Sequence, residues 1–214
     1  MDIDIKTHLP EDFHNNSRVW IYQSSRLFFI SEALEMENML SEFVSHWHSH
    51  GTPVKGFANL FFGRFIVLMA DETASGVSGC STDSSVRLIK EIEKKFNVEM
   101  FNRLLLAFIV KDKIEQIPLS QFSYAIENKF ISPDSLYFNN TVLTKSELET
   151  KWVIPVKESW LGKRMVNGEV NGEWWIVNGL YFFLLFSLSF LTFDFCFFTF
   201  HFSLFPFPFS LLPF

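Results

Sequence analysis

The strongest constraint on this chain is a break in composition near its C-terminal end. From Leu180 to Phe214, Phe, Leu, Ser and Pro make up 29 of 35 residues, and Asp194 is the only formal charge there. Phe alternates there with almost any residue, as in "FDFCFFTFHFSLFPFPF", so no helical or strand period separates an apolar face from a polar one. Such a segment cannot follow the packing logic of the rest. The chain therefore divides into residues 1–17, a flexible N-terminal segment; 18–160, a single domain; and 161–214, a low-complexity tail.

The tail supports two expectations. Trp174 to Phe193 is a run of 20 residues without a formal charge, long enough for a bilayer core. Lys157, Lys163 and Arg164 lie on its N-terminal side, which would keep the body in the cytoplasm. That is a C-terminal membrane anchor spanning 174–193. The other expectation is a read-through or non-native extension. Phe, Leu, Ser and Pro are the residues whose codons can be written wholly in pyrimidines, and "VNG" recurs at Val166, Val170 and Val177 like a short nucleotide repeat. The compositional bias favours the second.

Between Arg18 and Trp160 the periodicities are those of a mixed domain. "RVWIYQS" alternates as a half-buried strand, and Ser31 is placed to cap a helix running to "SHWHSH" with Leu34, Met39 or Leu40, Phe43 and Trp47 inward. "VKGFANLFFG" and "RFIVLMADE" read as a hairpin around Gly63. The helix "SSVRLIKEIEKKF" turns Val86, Ile89, Ile92 and Phe96 to one side. "LLLAFIVK" reads as a central buried strand. The order βαββαβ predicts an α+β fold of ferredoxin-like arrangement, an antiparallel sheet with both helices on one face. A C-terminal helix and strand extension follows: a short helix at "PLSQFSYAIENKF", a strand with a turn at Asn139-Asn140, and capping-box spacing from Thr144 to Glu147.

Composition excludes several functions. A net charge of −6 argues against neutralising the phosphates of a nucleic acid. Two cysteines, Cys80 and Cys196, build neither a disulfide framework nor a zinc finger. Residues 1–16 hold no apolar signal-peptide core, so a cytoplasmic location is expected. No cofactor is implied.

Three stretches carry candidate chemistry. "SGVSGCSTDSS" places Cys80 just ahead of a helix expected to start near Asp83. A helix N-terminus favours the thiolate there, with Asp83 and Ser85 shaping the loop. The same loop, through Ser78, Gly79 and Ser81, offers N–H and hydroxyl donors to an anion. Asp83 would compete as an N-cap, and turn chemistry alone also accounts for the composition. In "HWHSHG", His46 and His50 at i, i+4 could chelate, but no carboxylate ligand accompanies them and no metal site is assigned. Trp20, Tyr22 and Arg26 either line an open sheet face for a partner or pack inward.

The segments "RVWIYQSSR", "WHSHG", "SGCSTDSSVRLIKEIE", "YFNNTVLTKSELETKW" and "IPVKESW" resemble, in order, a family of short bacterial proteins commonly labelled "ABC transporter ATPase". The resemblance runs from Leu9 to about Trp160, and it implies a chain ending soon after Trp160. The label implies nucleotide handling. The residues that such hydrolysis needs are a different matter. No G-x-x-x-x-G-K-[ST] loop occurs, Gly162-Lys163 being followed by Arg164, so the backbone cradle for phosphates is missing. Asp71-Glu72 and "VSGCS" only imitate an acidic Walker pair and a signature loop. The expectation that combines these observations is a binding or interaction module for a protein or small-molecule partner. A thiol enzyme using Cys80 and a nucleotide-binding role are the alternatives.

Overall fold

The strand "FIVLMAD" is buried at every position from Phe65 to Asp71, so both faces of its sheet must be covered. The computed structural model describes residues 3–49, 51–71 and 79–166, without the side chains of 79–82 and 166. Within these residues the first sheet contains β1 (Arg18–Gln23), β4 (Lys55–Phe61) and β5 (Phe65–Asp71). It is antiparallel throughout, in the order β1-β5-β4. Between β1 and β4 run α1 (Ile30–Ser45) and a two-residue ladder of β2 (His48–Ser49) with β3 (Thr52–Pro53).

Alternation sends the residues of β5 to two different cores. Ile66 and Leu68 meet α1 through Met36 and Leu40, and α2 (Gly79–Phe96) through Leu88, Ile89, Ile92 and Phe96. Phe65, Val67 and Met69 point the other way, into a core shared with a second sheet. That sheet holds β6 (Leu105–Val110), β7 (Lys113–Pro118), β8 (Leu136–Phe138) and β9 (Val153–Pro155) in the order β7-β6-β8-β9. Its far face, with Leu106, Phe108, Ile117 and Tyr137, packs on α3 (Phe122–Glu127) and on Leu161 of α5 (Trp160–Val166). The described domain is thus α+β in four layers: helices, sheet, sheet, helices.

Aromatic rings close the space between the sheets. Phe65 stacks on Phe138 with centroids 4.6 Å apart, and Trp152 meets Phe61, Phe65 and Phe138 edge-on at 5.4 to 5.8 Å. The Trp152 indole N–H donates to Asn140 Oδ1, and Asn140 Nδ2 donates to Gln23 Oε1. The ring that fills the core therefore also fixes the end of β1. Trp152 follows α4 (Lys145–Lys151), whose N-cap Thr144 accepts from the Glu147 N–H while the Glu147 carboxylate accepts from Leu143 N–H. That is close to the reciprocal capping expected from "TKSE".

Four expectations change. The single four-stranded sheet divides in two, because β6 pairs with β7 and β8 rather than with β1. β6 is central and apolar on both faces, and a two-residue turn at Lys111 and Asp112, both at positive φ, returns the chain as β7. Among the described residues no backbone ladder joins β6 or β7 to β1; side chains link them instead, Gln23 Nε2 donating to Leu105 O of β6 and Gln116 Nε2 of β7 donating to Ser24 O. The N-terminal segment is not a free lead-in. Ile5, Leu9 and Phe13 are buried in the inter-sheet core, and the buried Lys145 ammonium donates to Phe13 O. Helix α1 ends at Ser45 and not near His50. Trp47, 1 % exposed, leaves the helix to lie over Gly56. The boundary expected after Trp160 moves, because Leu161 in α5 is fully buried in the far-face core; the other tail expectations, a membrane span at 174–193 included, fall on residues 167–214, outside the described residues. Among the described residues no helix is long and apolar enough to cross a membrane.

Two substitutions test this packing. Trp152→Ala is expected to cost about 3–5 kcal/mol in urea unfolding, the range for a large buried aromatic. Gly56→Ala would put a methyl 2.6 Å from Trp47 Cε3, and is expected to cost about 1–3 kcal/mol as an overpacking change. Unchanged midpoints would show that these contacts are not made in solution.

Candidate interaction surface

The six residues after β1 form a stapled corner. Ser24 N–H donates to Arg64 O, Ser25 N–H to Glu99 O, and Phe28 N–H to Gly63 O, each at 2.9 Å. The loop is thereby tied to the β4–β5 hairpin and to the segment after α2. That hairpin turns with Phe62 and Gly63 at positive φ, as the glycine led us to expect. Phe28 turns inward and meets the edge of Phe96 at 5.8 Å.

Arg26 is the centre of the corner. Its guanidinium donates twice to Glu32, at 2.7 and 2.8 Å, and also to Phe96 O at 2.6 Å and Leu27 O at 3.1 Å. Glu32 in turn accepts from the Phe29 N–H at 2.8 Å. This carboxylate satisfies an N–H at the head of α1 and sits at the positive end of the helix. The helix therefore begins two residues earlier than expected, with Phe29 at the N-cap position and Ser31 inside.

The staples hold four apolar side chains away from any core. Leu27 is 55 % exposed, Phe29 67 %, Ile30 83 % and Leu34 61 %. Leu34 was expected inward. The buried positions are Met36 and Leu40, with Met39 and Phe43 packed beside them, so Leu40 and Phe43 face inward as expected and Leu34 does not. Ile30 and Leu34, four apart, share one stripe of the helix. Single exposed apolar residues are ordinary, but four within eight residues on a well-tied backbone make a candidate interaction surface.

The residues singled out from the sequence fall elsewhere. Because α2 starts at Gly79, Cys80 is its second residue and Asp83 lies a turn inside it, exposed, rather than at the N-cap. Ser85 is fully buried and hydrogen-bonds Tyr22, whose hydroxyl is pushed up in pKa chiefly by burial. It ties α2 to β1 and does not face a loop. Gly79 opens α2; Ser78 and the side chains of Cys80 and Ser81 lie outside what is described. Trp20 and Tyr22 are half-buried under α1 and α2, with Trp20 5.9 Å from Trp47 and Tyr22 5.6 Å from Phe101. The sheet face they occupy is therefore covered, and all three residues of that trio are half-buried. His46 is the C-cap of α1 and His48 belongs to β2, so the expected i, i+4 pair is not on one helix; His50 is outside the described residues. Among the described residues no group of three His, Cys, Asp or Glu could hold a metal ion. A cleft lined by Leu104, Pro118, Leu119 and Arg164 lies at the edge of the second sheet. No family model, curated protein or solved structure matches the chain.

Hydrogen bonding from Arg26 holds the Glu32 carboxyl below the usual glutamate pKa, against a smaller opposing effect of desolvation. The folded state thus binds this proton less readily than the unfolded chain. The stabilisation is fully present above the ordinary glutamate pKa and is lost as pH falls through the lower, folded value. Glu32→Gln is therefore expected to flatten the acid limb of stability against pH, while lowering amide protection at Phe29 near neutrality. An acid limb identical to that of the parent would remove Glu32 from the corner's framework.

Proposed function

We propose that this chain is a non-enzymatic interaction module working in the cytoplasm, and that the corner of Leu27, Phe29, Ile30 and Leu34 is its contact surface. One observation carries the proposal: Ile30, 83 % exposed, opens a helix whose first turn is held by a bidentate Arg26–Glu32 pair. Presenting apolar groups on an ordered backbone lowers the entropy that a partner's binding must offset. Tyr22 and Ser85 spend their hydroxyls on each other, which supports packing rather than chemistry behind this surface. We take the scaffold as an opened ferredoxin-like unit. The order β1-β5-β4 with α1 and α2 on one face supports that assignment, and β6 departs from it.

A photo-crosslinking residue placed at Leu34 in living cells is expected to yield discrete protein adducts. The same residue at Glu127, exposed on α3, serves as the control. Equal labelling at the two positions would remove the proposal.

A second function, thiol chemistry, is favoured by the placement of Cys80 in the first turn of α2, where the helix dipole stabilises a thiolate. It requires iodoacetamide labelling at neutral pH well above the rate of free cysteine; a rate equal to free cysteine rejects it. The family label would make Mg-ATP a ligand. Under the module proposal excess Mg-ATP leaves the melting temperature unchanged, and a rise of several degrees would favour the label instead.

A further inference from the structure

We infer that the partner of this surface is a protein segment with apolar anchors flanked by Lys or Arg, an inference that rests on the module proposal above. The argument is charge. From Ile30 to Ser45 the helix carries Glu32, Glu35, Glu37 and Glu42 and no Lys or Arg. Glu32 is satisfied by Arg26, and Glu35 pairs with Lys95 Nζ of α2 at 2.6 Å. Glu37 and Glu42 are exposed and have no ion pair among the described residues.

Helical geometry places these charges beside the apolar group. Glu37 follows Leu34 by three residues and Ile30 by seven, so it continues the same stripe one turn further along. Glu42 lies on the exposed side of the next turn. The surface is therefore bipolar along the axis of α1, apolar at its N-terminal end and anionic beyond. A segment whose apolar side chains cover Phe29, Ile30 and Leu34 brings its neighbouring positions over Glu37 and Glu42. Cations there gain complementary charge at the rim of the contact, which favours encounter and selects against acidic partners.

The other occupants fit less well. A second copy brings another net −6 and another α1 with no cation. An anionic bilayer surface meets two unpaired carboxylates at the same place. Neither gives Glu37 and Glu42 a counter-charge.

The test uses the full chain and two fluorescent amphipathic model peptides of equal length, one of Leu and Lys, the other of Leu and Glu. Anisotropy is expected to show saturable binding of the Leu/Lys peptide and none of the Leu/Glu peptide. The double variant Ile30→Asp, Leu34→Asp is expected to weaken binding by about tenfold or more, a change of about 1.4 kcal/mol. Glu37→Lys, outside the apolar group, is expected to weaken it a few-fold and flatten its salt dependence. Equal melting temperatures confirm that the variants remain folded. Equal affinity for both peptides, or indifference to Glu37→Lys, overturns the charge inference and leaves the module proposal standing. Leu/Lys binding that ignores the double variant overturns the inference and places the contact elsewhere. No binding of the Leu/Lys peptide overturns the inference. So does a concentration-dependent dimer abolished by the double variant, or adsorption to phosphatidylcholine vesicles in preference to the peptide.

Discussion

The double-sided burial of β5 is the constraint from which the rest follows. Six successive apolar side chains, Phe65 to Ala70, are fully buried, and successive residues of a strand point to opposite faces. One face must then be covered by helices and the other by something equally apolar. Here the second cover is another sheet, and β6 meets the same demand from its own side, with Ala107 facing the first sheet and Phe108 facing α3. Two strands of this kind in a single sheet with helices on one face would leave apolar residues in water. Division into two facing sheets removes that conflict.

The space between the sheets is filled mainly by rings, and rings require polar bookkeeping at their edges. Trp152 brings an indole N–H into a buried site, and Asn140 answers it. Asn140 then reaches Gln23, which reaches Leu105. A chain of side-chain hydrogen bonds thus fastens the end of β1 to both halves of the second sheet where no backbone ladder joins them. The inter-sheet core and the stapled corner are adjacent in consequence: Gln23 ends β1, and Ser24 begins the loop that presents Phe29 and Ile30.

Much of the local structure was legible in the chain. The hairpin at Gly63, the amphipathic α2 and the Thr144 cap each rest on short-range rules: a residue that accepts positive φ, a 3.6-residue stripe, and a hydroxyl three residues before a carboxylate. β7 was missed for an equally local reason. "KIEQIP" does not alternate, and its turn is Lys111-Asp112 without a glycine, so neither strand nor hairpin announces itself. The frame of α1 was misjudged because Ser31 is an ordinary N-cap. Glu32 capping Phe29 depends on Arg26, six residues away from its partner and set by Phe96 O, seventy residues on. Leu34 faces solvent because the buried stripe of α1 runs through Met36 and Leu40, four residues apart, and Leu34 lies on the opposite side of the helix.

By itself the sequence determined the class of fold, the change of composition from Leu180 onward, and the absence of a nucleotide-phosphate loop. Each of these depends on residue identity and spacing along the chain. Only the tertiary structure decided that the strands form two sheets, that Ile5, Leu9 and Phe13 enter the core, and that Leu27, Phe29, Ile30 and Leu34 are all exposed. Those outcomes depend on which apolar faces find each other across long stretches of chain, and burial is a property of the assembled surfaces that no single segment carries.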